Sequence, residues 1–190
     1  MPSWIEFRLA TQGLFRLARF NPDFVRFFDR SASGALRSFW VMAAIYPFHL
    51  LHLWSMDFFS RVESVTQFCL AISVGFVIRA LVPPLLIAWL APMIGRDAEM
   101  PGSITIYNWS NLLGAAVVLP LIMADLAGLS PDVLAIPDKI VLLIILVWEA
   151  FLLTHALRIP LWQAAVATAG DFFISNWVLL SIFLVLGGVR

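Results

Sequence analysis

The sequence predicts an all-α protein: a polytopic membrane bundle of about five transmembrane helices, preceded by an amphipathic interfacial helix. Three observations predict it. Of its 190 residues, 62% are hydrophobic and 13% charged, whereas soluble domains run nearer a quarter charged. The mean hydropathy is +0.93. The apolar residues gather into five runs near the length of about 20 residues that crosses a bilayer core, and the stretch before them is rich in arginine.

That first stretch, residues 1–34, reads as a cytoplasmic segment, and residues 35–190 as the transmembrane domain. Residues 3–20 fit a helix. At about 100° per residue, Arg8, Gln12, Arg16 and Arg19 fall on one face, and Phe7, Ala10, Leu14, Leu17 and Ala18 fall opposite. The expectation is a helix lying in the interface with its arginines among anionic headgroups. The alternative is a helix packed on the cytoplasmic side of its own bundle. Asn21 then caps a short helix with Pro22 at its first position and Asp23 in its first turn. Residues 31–34 break the pattern. Six of the twelve basic residues precede residue 38. A basic tail beside a membrane points to anionic lipid as its partner and not to nucleic acid. Arginines interrupt the apolar positions, so the segment does not read as a signal peptide.

The expected spans are residues 36–56, 65–94, 104–126, 139–157 and 161–186. The second holds the most unusual stretch, residues 77–85, with Arg79 four positions before Pro83. Proline has no N–H, so Pro83 and Pro84 leave the carbonyls of Arg79 and Ala80 without their helical donors. Pro47 and Pro120 raise the same expectation of a helix break in the first and third spans. Residues 95–102 and 129–138 read as loops. With the amino terminus inside, inner segments hold eight basic residues and outer ones three, namely Arg61, Lys139 and Arg190. That bias places the amino terminus in the cytoplasm and, with five spans, the carboxyl terminus outside. No internal repeat is visible.

Two groups of polar residues fall inside the spans. Counting about 1.5 Å per residue, Arg79 lies about 21 Å and Glu149 about 15 Å below the outer surface, similar enough to pair. A charge there costs on the order of 3 kcal/mol on insertion scales, so intramembrane charges find partners. The pair is either a lock between two helices or part of an ion or proton relay. Asn108, Asn111, His155 and Asp171 form the second group, nearer the cytoplasm. They line a polar pocket or bond helices to one another. His49 and His52 sit on neighbouring turns, but two imidazoles with only Asp57 nearby make no zinc site. No metal or cofactor is expected, and no nucleophile–base grouping or phosphate loop appears, so the protein does not read as an enzyme.

Tyr107-Asn108-Trp109 opens the third span and Trp148-Glu149 lies in the fourth. With a cytoplasmic amino-terminal segment, about five close-packed spans and short loops, this layout resembles the Yip1-like membrane proteins, including their small bacterial members. The resemblance covers about residues 36–186. It implies a non-enzymatic scaffold, adaptor or accessory subunit that binds another membrane protein or itself, in a bacterial inner membrane. The amino-terminal motifs of the eukaryotic members are absent, so their small-GTPase partner is not implied. The competing expectation is a small permease or proton-linked transporter using Arg79, Glu149 and Asp171.

Overall fold

A computed structural model describes residues 1–55 and 65–186, all helical or connecting, with no strand among the described residues. The expected loop with Asp57 and Arg61, and Arg190 at the end, lie outside them. Helix α1 (Trp4–Ala18) is capped by Ser3, whose hydroxyl accepts from the Glu6 N–H. A 3₁₀ turn (Pro22–Phe27) follows, and its Asn21 cap accepts from the Asp23 N–H. Then come α2 (Ala32–Ser38), α3 (Trp40–Ser55), α4 (Val65–Met93), a 3₁₀ turn (Asp97–Glu99), α5 (Met100–Leu126), α6 (Pro131–Ala156) and α7 (Leu161–Leu186).

Helix boundaries differ from expectation where caps were overlooked. The first apolar run is divided at Phe39 into α2 and α3. Helix α5 starts four residues before 104, with a proline in its first turn. Most of the loop expected at 129–138 is the first two turns of α6, with Ser130 at the cap position and Pro131 at N1, the arrangement in which proline starts a helix. The prolines expected to break helices do not. Pro47 lies within α3, Pro83 and Pro84 within α4, and Pro120 within α5, each a continuous helix. Membrane helices tolerate proline because neighbouring groups and local adjustments re-satisfy the freed carbonyls.

Among the described residues, two stretches are long and apolar enough to cross a membrane, Ile72–Met93 and Asp97–Leu126. Helix α5 is the hub and packs against α2, α3, α4 and α6; α7 packs on α4 and α6. Thus α4, α5, α6 and α7 close a ring in which each helix touches the next. Helix α3 is tied to this ring by a hydrogen bond of 2.7 Å between the Tyr46 and Ser73 hydroxyls. Helix ends turn back on paired carbonyls. At the end of α5, Gly128 takes φ +87° while its N–H and that of Leu129 bond the Asp125 and Ala124 carbonyls, a conformation costing glycine little.

The amino-terminal segment packs on one end of the bundle, as in the second of the two expectations. Ala10, Gly13, Leu14 and Leu17 of α1 are buried among Phe24, Ile106, Trp109, Leu152 and Leu157. Expected apolar-face residue Phe7 is only half-covered, beside Trp109. The opposite face stays free. It presents Arg8 and Arg19 together with exposed Trp4, Ile5, Leu9 and Phe15. The Arg19 guanidinium lies 4.0 Å over the Phe15 ring and that of Arg16 4.5 Å over Phe27. Arg37 ties the segment together, donating to Glu6 at 3.1 Å and Asp29 at 2.6 Å. Hydrogen bonds from the Ser31 backbone N–H, then its hydroxyl, and the Arg37 guanidinium hold the Asp29 carboxyl below its usual 3.8. On the same end, Arg158 bonds the buried Glu99 at 3.3 Å, which joins the turn after α6 to the turn before α5.

Candidate functional site

The helical ring and α3 enclose a cavity of about 310 Å³. Its α5 wall is one face of that helix: Tyr107, Asn111, Gly114, Val118 and Ile122 recur every three or four residues, the spacing that keeps side chains on one side. Helix α4 contributes Arg79 and Pro83, α6 contributes Glu149, α7 contributes Asp171 and Ser175, and α3 contributes His49 and His52. Gly114 leaves its part of the wall open, with nothing within 4 Å of where a Cβ would stand.

The structure therefore brings Arg79 and Glu149 to one place, together with Asp171. It does not join them. Among the described residues no ion pair within 4.0 Å includes any of the three. The direct Arg79–Glu149 contact expected from depth is absent, because the two side chains project from helices on different walls of an open space. Asp171 is held: its Oδ2 accepts from the Tyr107 hydroxyl at 3.1 Å and its Oδ1 from the Ser175 hydroxyl at 3.3 Å. The Thr168 hydroxyl lies beside Glu149 and acts on its carboxyl, although the two do not meet strict hydrogen-bond geometry.

The second group of expected residues divides. Asn111 lines the cavity, with its Nδ2 donating to the Tyr107 carbonyl at 3.0 Å. Asn108, one position round the helix from Tyr107, is fully buried and donates to the Ser38 hydroxyl at 2.8 Å. It fastens α5 to α2. His155 is away from the cavity. Its Nδ1 lies 2.8 Å from the Phe151 carbonyl and its ring packs between Phe151 and Phe24. Both are structural contacts at the end where the amino-terminal segment docks. Ser175 is not singled out from sequence, and Tyr107 only as part of the Tyr107-Asn108-Trp109 opening of the third span. Their signal is spacing alone: Tyr107 precedes Asn111 by one turn, and Ser175 follows Asp171 by one turn.

What this arrangement can do is bind. It offers one guanidinium and two carboxylates, unpaired with each other, in a space large enough for a small solute. No group of three or more metal-ligating side chains occurs among the described residues. No protein-family model, curated protein or solved structure matches this chain.

Proposed function

We propose that the chain is a polytopic membrane protein, non-enzymatic, that takes a small polar solute into its intramembrane cavity as a permease-type carrier. The observation that carries this reading is the cavity itself, with Arg79, Glu149 and Asp171 on its walls and no ion pair among them. A structural lock would close the contact; a binding site keeps it open. Charges inside a membrane mark substrate or ion paths when they face a water-filled space.

The membrane reading has its own support. Only 28% and 11% of the two apolar windows is buried, the reverse of a soluble core helix. On α4 the exposed apolar residues Leu70, Val74, Val77, Leu81, Leu85 and Trp89 form a stripe at helical spacing, opposite Arg79, that fits contact with lipid. On α6 Val133, Ile136, Ile140, Leu143 and Val147 repeat the pattern, as do Trp162, Val166, Phe173 and Trp177 on α7. Apolar surface of this extent is not left to water. With α3 and α5, these stripes support the five-span reading. The basic residues then put the amino-terminal segment in the cytoplasm, of a bacterial inner membrane.

Reconstitution tests the carrier reading. Liposomes containing the protein, mixed with an isotonic small solute in a stopped-flow instrument, should swell faster than liposomes containing the Arg79→Gln, Glu149→Gln double variant. Equal swelling across a broad panel of small polar solutes refutes it.

The scaffold reading, which the Yip1-like layout supports, stands second. The observation favouring it is the free arginine–aromatic face of α1, exposed after the opposite face is buried. It suits anionic headgroups or a partner's acidic surface. A second integral membrane protein that co-purifies in mild detergent, with no solute permeability, decides for the scaffold.

A further inference from the structure

We infer that the cavity is built for a small zwitterion carrying a primary ammonium group at one end and a carboxylate at the other. This deepens the carrier reading and rests on it. Beside the imidazoles of His49 and His52, the charged and amide groups described on the cavity wall divide into a guanidinium donor and a set of acceptors. The donor is Arg79, whose side chain is exposed and has no carboxylate within 4.0 Å among the described residues. Its planar fork matches a carboxylate with two parallel hydrogen bonds. The acceptors are on α5, α6 and α7. Glu149 has only the Thr168 hydroxyl beside it among the described residues, which leaves its carboxyl with lone pairs to spare. Asn111 uses its Nδ2 on the Tyr107 carbonyl, which leaves its Oδ1 free. Asp171 is fixed by Tyr107 and Ser175 and keeps lone pairs to spare. An ammonium group has three donors and no acceptor, the complement of that set.

Solutes of a single charge fit worse. A lone cation satisfies the carboxylates and leaves the guanidinium unpaired at membrane depth, where an unanswered charge is expensive. A lone anion satisfies Arg79 and adds a third negative charge beside Glu149 and Asp171. A neutral polyol pairs with neither charge. A zwitterion answers both ends at once and adds no net charge. The volume of about 310 Å³ lies near the lower end of small-molecule pockets, about 300–1,000 Å³, so the solute is amino-acid-sized.

The test is thiol protection in the full chain. Cys69 is the only cysteine, so a Cys69→Ser background carrying Ala115→Cys places one thiol on the cavity wall. A water-soluble thiosulfonate labels it in nanodiscs, alone or with each ω-amino acid from glycine to 6-aminohexanoate. Acetate, ethylamine and sodium chloride serve as half-ligands. The expected result is that at least one ω-amino acid slows labelling roughly tenfold near saturation, that no half-ligand does so at equal concentration, and that Arg79→Gln or Glu149→Gln removes the protection. Absence of labelling overturns the water-filled cavity, and the carrier reading with it. Labelling that no ω-amino acid slows overturns the zwitterion and leaves the cavity. Equal protection by acetate or ethylamine also overturns it, in favour of a single-charge site. Where the Arg79 and Glu149 variants fail to fold, the ladder against half-ligands in the Ala115→Cys background decides alone.

Discussion

Gly13→Ala should destabilise the protein, although alanine is the better helix former. Gly13 lies in the middle of α1 and faces the 3₁₀ turn, where a Cβ would meet Phe28 Cε2 at 2.5 Å, Phe28 Cζ at 2.8 Å and Phe27 Cβ at 3.0 Å. The Phe28 side chain is 6% exposed, so its ring cannot swing into solvent to make room. Overpacking of this kind costs about 1–3 kcal/mol. Replacing a mid-helix glycine by alanine returns about 1 kcal/mol of backbone entropy. The clash wins by about 1 kcal/mol, a fall in Tm of about 2–4 °C for a chain of this length. Gly170→Ala is the matched control. Gly170 is also inside a helix, and nothing lies within 4 Å of its Cβ position. There only the entropy gain operates, and Tm should rise. Both are read by thermal unfolding in the same detergent. A Gly13→Ala protein as stable as the wild type, or more so, refutes the close packing of α1 on the 3₁₀ turn.

The remaining expectations are simpler. Arg37→Ala loses contacts to Glu6 and Asp29 together and should lower Tm more than Arg158→Ala, which loses only Glu99 from a guanidinium already 61% exposed. Because the Asp29 pKa is lowered on folding, its contribution is present above 3.8 and fades as pH falls through the folded value. Asp29→Asn should therefore flatten that acid limb of the stability profile, and an unchanged limb would remove Asp29 from the account. Arg8→Gln with Arg19→Gln should weaken any extra thermal stability gained in anionic over zwitterionic nanodiscs, and the gain should shrink with salt. Reporters fused after residues 2, 98 and 190 should read inside, inside and outside; a cytoplasmic signal at the last would end the five-span topology.

Much of the helical order was legible because long apolar runs bounded by glycine, proline and charge leave little choice of element. Helix α7 covers residues 161–186 as expected, and α4 ends within one residue of its predicted limit. The errors came from caps. Ser130-Pro131 falls within the loop expected at 129–138 although serine before proline is a helix start, and Met100-Pro101 falls within the one expected at 95–102. The packing of α1 on the bundle was not legible, since an amphipathic helix has one pattern whether its apolar face meets lipid or protein. What distinguishes them is Gly13. A glycine within an otherwise strong helix pattern marks close approach, and here Phe28 is what approaches.

The cavity was half-legible for a related reason. Depth counting brought Arg79 and Glu149 together although only the Arg79 count began at a true helix end; the Glu149 count began at 139, eight residues inside α6, an offset of about 12 Å along the axis. It left Asn111 apart from them because α5 was begun four residues late, an error of about 6 Å along the axis. From the true starts, Asn111 is eleven residues into α5 and Asp171 ten into α7, so the two come level if those ends of the helices lie on the same side. Depth alone still cannot separate Asn108 from Asn111. Three positions of helix turn a side chain by about 300°, and the stripe of Tyr107, Asn111, Gly114 and Val118 shows which direction the cavity takes. Asn108 lies off that stripe, facing Ser38. The residues on which the proposed binding rests are those where a charged or amide group, a common depth and a shared helix face coincide. Arg79, Glu149, Asp171 and Asn111 meet all three conditions, whereas Asn108 fails on face and His155 lies outside the cavity.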